Sequence, residues 1–322
     1  MISRTLYFLT LVTLTAPLAV GAQDLTPSTD RILSDPTYLP LQGQIYGQTG
    51  YSYGVDTSNT TTGLGVAFGR RWSDSYSQHL AYGVTNRLSV DLGLDYDTIH
   101  GRNTSAAGDV TEGGRQGFTD PTFGVTYRLF DQANHPFSLD VKGAYSPDLF
   151  PMKTTAGSGD GTVAAGGAAT SLGLALGRET KFLTVQASVS GQWVGPSDLR
   201  NMTSGDTIHT SGYWVPTLGF ATQTRITPRL SVNIDGNYNI EPGPNVINQD
   251  NGVFYQSNRG DVGNLGMAVN YHFIPNRVVG SLNYNHTFYG LTDNIYPGLA
   301  ERDSFTDRSA DTFGATVRYV FR

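Results

Sequence analysis

His209-Thr210-Ser211 has the spacing of a catalytic pair, because residues i and i+2 of a strand point to one side and a serine beside a histidine begins a nucleophile–base arrangement. No third member or oxyanion donor is identifiable from the sequence, and small polar neighbours make the stretch read as the end of a loop. Asp303, Asp307 and Asp311 recur every four residues along irregular chain, which matches no calcium loop and reads as a solvated cluster. His79 and His286 stand apart from each other, and the chain has no cysteine. Thiolate zinc sites, disulfides and thiol nucleophiles are thereby excluded. The expectation is a protein without catalytic residues, metal or cofactor.

The larger set of polar residues is ordered differently. In residues 230 to 240, Leu230, Val232, Ile234, Gly236, Tyr238 and Ile240 alternate with Ser231, Asn233, Asp235, Asn237 and Asn239. Leu88, Val90, Leu92, Leu94 and Tyr96 alternate in the same way with Ser89, Asp91, Gly93, Asp95 and Asp97. A period of two places each set on its own face of a strand. The pattern returns with Phe137 to Tyr145, Leu183 to Trp193 and Thr312 to Phe321. Each segment has the roughly 9 to 11 residues with which a tilted strand crosses a bilayer.

The connections sort into two kinds that alternate without exception. Short ones lie at 85–87, 131–136, 178–181, 227–229 and 274–277; long ones, rich in Gly, Asn, Asp, Ser and Thr, lie near 54–62, 101–117, 146–168, 195–209, 241–260 and 289–309. Transmembrane barrels have short periplasmic turns and longer external loops. The expected fold is therefore all-β, a transmembrane antiparallel up-and-down barrel of about twelve strands with both termini in the periplasm. A soluble sandwich would need apolar inner residues on both sheets, which these Ser, Asn, Asp and Gly faces do not offer.

Composition agrees. Only 15% of residues are charged, whereas Gly numbers 39, Tyr 18 and Phe 15. The slightly negative average hydropathy excludes a helical membrane bundle but suits strands that turn only alternate residues to lipid. Arg4, the apolar run Leu6 to Leu14, Pro17 and the small residues Val20-Gly21-Ala22 form a secretory leader. The expected division is a leader at 1–22, an extended tail or small plug at 23–40, and the barrel at 41–322. Losing Arg4 makes the net charge one unit more negative than −6, so nucleic acid is not an expected partner.

Two places strain the pattern. Residues 63–84 are long for one hairpin arm and are interrupted by Arg70-Arg71-Trp72-Ser73-Asp74, which calls for a bulge or an arm rising above the membrane. Pro216, inside 213–225, removes a ladder donor and predicts a bulge or local gap.

Two stretches, Leu80-Ala81-Tyr82-Gly83-Val84-Thr85-Asn86-Arg87-Leu88-Ser89-Val90-Asp91-Leu92-Gly93-Leu94 and Phe118-Thr119-Asp120-Pro121-Thr122-Phe123-Gly124-Val125-Thr126-Tyr127-Arg128-Leu129, carry a family resemblance. They are similar to the turn and strand motifs of outer-membrane barrels grouped with the phenol meta-cleavage pathway, themselves similar to long-chain fatty-acid outer-membrane transporters. The resemblance implies uptake of small, often hydrophobic or aromatic molecules. Thr119 departs from the family's usual Gly, and the long segment that plugs the fatty-acid transporters has no counterpart.

The inward polar face then becomes the candidate site: Asp91, Asp95, Asp97, Arg128, Asp140, Lys142, Asn233, Asp235, Asn237 and Arg318 are expected to line the lumen. Their mixed signs argue for weak ion selectivity or for an uncharged solute. Phe321, penultimate, is the expected assembly signal, read by the barrel insertion machinery after periplasmic chaperones deliver the exported chain. The expected role is a porin-like channel for passive transport of small solutes, lodged in lipid of a Gram-negative outer membrane after export by the general secretory route. A structural or adhesive surface barrel and a lipid-modifying enzyme are the alternatives.

Overall fold

The computed structural model describes residues 32–321 apart from 63–64, 151–152, 155–162, 164–165, 202–206, 242–244, 249–253, 259 and 296–301. The leader expected at 1–22 and the first part of the tail lie outside the described residues.

Twelve staves close one antiparallel barrel. They are β1 (Ile45–Thr62), β2 (Gly65–Gly83), β3 (Leu88–Thr104), β4, β5 (Ser138–Ser146), β6 (Ala169–Glu179), β7 (Leu183–Val194), β8 (Tyr213–Thr227), β9 (Leu230–Asn239), β10 (Val262–Ile274), β11 (Val278–Tyr289) and β12 (Arg302–Phe321). The fourth stave, β4, is built of two ladders, Val110–Phe118 and Thr122–Phe130, both paired with β3. Each stave pairs with its sequence neighbours, and β12 closes the ring on β1 from Ile45↔Phe321 to Thr61↔Ser304. No helix occurs among the described residues.

The alternation decides which side is which. Outward residues include Leu282 at 70% exposure and Leu172 at 66%, whereas the largest fully buried side chains include Gln223, Asn270 and Thr184. A soluble core has the opposite polarity. An apolar exterior around a hydrogen-bonded polar interior is what lipid requires of a closed sheet. Outward aromatics mark its margins. Tyr51, Tyr76, Tyr96 and Phe118 share one row across β1 to β4, and Tyr271–Phe273 and Tyr319–Phe321 lie near the short turns. Such girdles sit at the two interfaces of a bilayer.

The short turns fall where the sequence places them. The long connections differ, because much of what reads as loop is strand. Residues 54–62 and most of 101–117 continue the ladders of β1, β3 and β4, while Ser197–Asn201, Thr207–Thr210, Asn245–Asn248, Phe254–Asn258 and Thr292–Ile295 extend the wall above the apolar belt. Above the lipid both faces meet water, so main-chain pairing persists after the apolar alternation that announces it has stopped.

Residues 65–83 form one unbroken ladder with both neighbours, so the expected choice between bulge and raised arm resolves as the arm. Pro216 makes no bulge: it pairs with Gly191 in register. Its carbonyl accepts from Ile240 N at 2.9 Å, just past the last β8–β9 pair at Thr217↔Asn239, so the missing donor falls where the ladder already ends. The register shifts occur instead at 57/59, 128/130, 225/227 and 272/274, toward the ends of staves.

Candidate functional site

The tail turns into the barrel. Asp35 N donates to Ile32 O and Tyr38 N to Asp35 O, giving two successive turns, and Asp35 Oδ1 accepts from Thr37 N (2.8 Å) and Thr37 Oγ1 (2.7 Å). An Asp that bonds its own backbone two residues on, followed by Pro36 with its fixed φ, is a turn encoded locally. Leu33 and Leu39 are each 3% exposed, although the faces around them are polar.

Three groups of wall side chains hold this segment. Arg128 on β4 donates from Nε and Nη2 to the two oxygens of Asp140 on β5 (2.8 and 3.0 Å) and from Nη2 to Thr37 O (2.6 Å). On β7 and β8, Asp35 Oδ2 accepts from Thr184 Oγ1 (2.5 Å) and from Arg225 Nη2 (3.3 Å), which also reaches Glu179. On β8 to β10, Ser34 Oγ accepts from Gln223 Nε2 at 2.6 Å and its carbonyl from Asn233 Nδ2 at 3.0 Å, with His272 Nε2 at 3.3 Å from its hydroxyl. Bonds to charged groups are among the stronger ones a protein makes, and here Arg128 meets the Thr37 carbonyl and Arg225 the Asp35 carboxylate.

The ten residues expected on the inner face all point inward. Arg128, Asp140 and Asn233 are engaged as above. Asp91 sits 3.2 Å from His79 Nε2, Asn237 accepts from Asn264 (2.8 Å), and Arg318 Nε donates to Gln48 (3.0 Å). Asp95 and Asp97 share the inward parity of Asp91 on the same unbroken ladder. Lys142 and Asp235 face a chamber of about 350 Å³ that the tail closes on one side. Arg128, Asp140 and Asn233 thus hold the tail, Asp91, Lys142, Asp235 and Arg318 border the chamber, and Asp95, Asp97 and Asn237 lie on the inner face outside its lining.

Sequence reasoning missed the partners on β6 to β8, namely Glu179, Thr184, Gln223 and Arg225. Their signal was present, since Gln223 and Arg225 alternate against Leu218 and Ile226. A second inward cluster was also missed, where Asp56 accepts from Arg308 Nη2 (2.7 Å) and lies 3.5 Å from Arg71, while Arg308 stacks over Tyr289 at 3.9 Å. Asp56 lay in what read as a loop.

At His209 the structure adds an acid that spacing could not reveal: Asp198, opposite it in register, lies 2.6 Å from Nδ1. The pair is on the exposed extension of the wall. Asp307, 3.3 Å from Asn59 Nδ2, and Asp311, 2.7 Å from His286, have separate partners, and no metal-holding cluster occurs among the described residues. Phe321 is outward and 54% exposed.

Known structures share the architecture. An outer-membrane channel from Pseudomonas putida F1 superposes with a TM-score of 0.54 at 13% identity, over 92% of this chain and 99% of that one. The transport unit of the autotransporter AIDA-I from Escherichia coli gives 0.53 at 10% identity, over 98% and 97%. The fold is that of an outer-membrane β-barrel. No family model matches the sequence, and no curated protein matches it. Identities this low carry the fold and nothing finer.

Proposed function

We propose that this protein is an outer-membrane channel for the passive passage of small solutes, held closed at its short-turn end by residues 32–40. One observation carries the reading: the inward face is polar and charged around its circumference, and the tail is bonded to that face through side chains rather than fused to it by an apolar core. A filled structural barrel has no need of Lys142 and Asp235 facing an open chamber. Asp91, Asp95, Asp97, Lys142, Asn237 and Arg318 then set what passes, while Arg128 and Asp140 hold the tail. Hydrophobic or aromatic solutes are supported by the family resemblance alone. Export through the general secretory route and insertion guided by Phe321 belong to the same reading, since a barrel of this polarity is stable only in lipid.

The test is single-channel conductance of the refolded protein in a planar bilayer, beside a variant lacking residues 23–40 and one carrying Asp91→Asn and Asp95→Asn. Rare or small openings of the intact chain, large steady ones without the tail, and altered ion preference in the double variant are expected. A membrane that stays silent with folded, tail-deleted protein would overturn the reading and favour a surface barrel acting through its external wall.

A further inference from the structure

The chamber above the tail holds a combination of charges that its own wall leaves unspent. Among the described residues, no hydrogen bond or ion pair engages Lys142 on β5 or Asp235 on β9. Arg318 on β12 uses Nε on Gln48, and Asp235 lies in its field without reaching it. Asp91 on β3 has His79 as a partner and further acceptor capacity to spare. Besides Asp35 and Asp140, which Arg225 and Arg128 already hold, two cations and two carboxylates therefore face one space of about 350 Å³ without neutralising each other by contact. At about 30 Å³ per water, that space holds roughly ten waters or a solute of similar heavy-atom count.

Groups of opposite sign held apart select against most occupants. A hydrocarbon would strip water from four ionic groups and return nothing. A lone anion satisfied by Lys142 would stand near Asp235 and Asp91, and a lone cation would meet the converse repulsion. A molecule with both charges satisfies both sides at once. We propose that the chamber is a binding site for a small zwitterion, its ammonium drawn to Asp235 and its carboxylate to Lys142, with Asp91 and Arg318 setting the field of the opposite wall. The wall makes room for the carboxylates: Asp91 lies across Gly124 and Asp235 across Gly266, positions where a Cβ would collide with them. This names a solute class for the channel and rests on that reading only for the solute's route in, because binding is measurable without passage.

Calorimetric titration of the refolded full chain with γ-aminobutyrate, butyrate and butylammonium separates the possibilities. γ-Aminobutyrate should bind about tenfold tighter than either singly charged analogue, the scale of one added charge-assisted contact. Lys142→Met should bring it down to the level of butylammonium, and Asp235→Asn to that of butyrate, each variant keeping the heat-shifted gel mobility of a folded barrel. Equal binding of all three, no binding of any, or a zwitterion preference that survives both substitutions would overturn the proposal. Zwitterion binding by a protein that conducts nothing even without residues 23–40 would sink the channel reading and leave this one standing.

Discussion

Arg128 joins the tail to the wall: one guanidinium grips Asp140 through two nitrogens and gives Nη2 to the carbonyl of Thr37 at 2.6 Å. Both side chains are almost wholly enclosed, at 7% and 4% exposure. A buried pair adds little net stability over an apolar replacement, but removing one partner strands the other, at about 3 to 5 kcal/mol. Arg128→Met should therefore release residues 32–40 while the main-chain ladders keep the barrel closed. The checks are protease cleavage of the tail in folded protein and a rise in conductance. A tail as protected as in the unaltered chain would show that Arg128 does not hold it.

Asp35 makes the complementary attachment, accepting from Thr184 and Arg225 as well as from its own turn. Asp35→Asn keeps the size and offers an amide where two donors already point, so it should loosen the tail less than Arg128→Met. Combining the two should add little once the tail is free, because residues in one network are not additive. Strictly additive protease rates would mean that the two attachments act independently.

Asp56 stands between Arg308 (2.7 Å) and Arg71 (3.5 Å) on the inner face nearer the long connections. Asp56→Asn leaves two guanidinium groups facing the lumen with less to balance them. Rings of arginine favour anions. The reversal potential under a salt gradient should shift toward the anion side, more strongly at low ionic strength, where screening is weaker. An unchanged potential would place this cluster off the ion path.

What the sequence makes legible follows from how each feature is encoded. Val90, Leu92 and Leu94 must face lipid while Asp91 and Asp95 must not, so strand, face and barrel were readable from alternation alone. The tail was not, because its hold on the wall joins Ser34 to Gln223 and Thr37 to Arg128, residues with no local pattern in common. The extensions above the belt were hidden for another reason: pairing between Arg71 and Gly101, or Asp198 and His209, needs only main-chain groups. Pro216 misled because a ladder's last rung looks like any other in sequence.

Leu282 and Val110 test the membrane depth that the aromatic girdles define. Both point outward and are well exposed, at 70% and 47%, but Leu282 is at mid-height on β11 and Val110 at the tip of the β3–β4 hairpin. If the belt between the girdles is the lipid-facing band, Leu282→Arg should cost about 2 to 4 kcal/mol of folding free energy in liposomes, and Val110→Arg about 0 to 1. Reversible urea unfolding in vesicles measures both. Equal costs would mean that the two positions see the same medium, and the hairpin tip would then have to lie in lipid or Leu282 outside it. A large cost at Leu282 alone would fix the bilayer against the short-turn half of the barrel, with the paired extensions rising free above it.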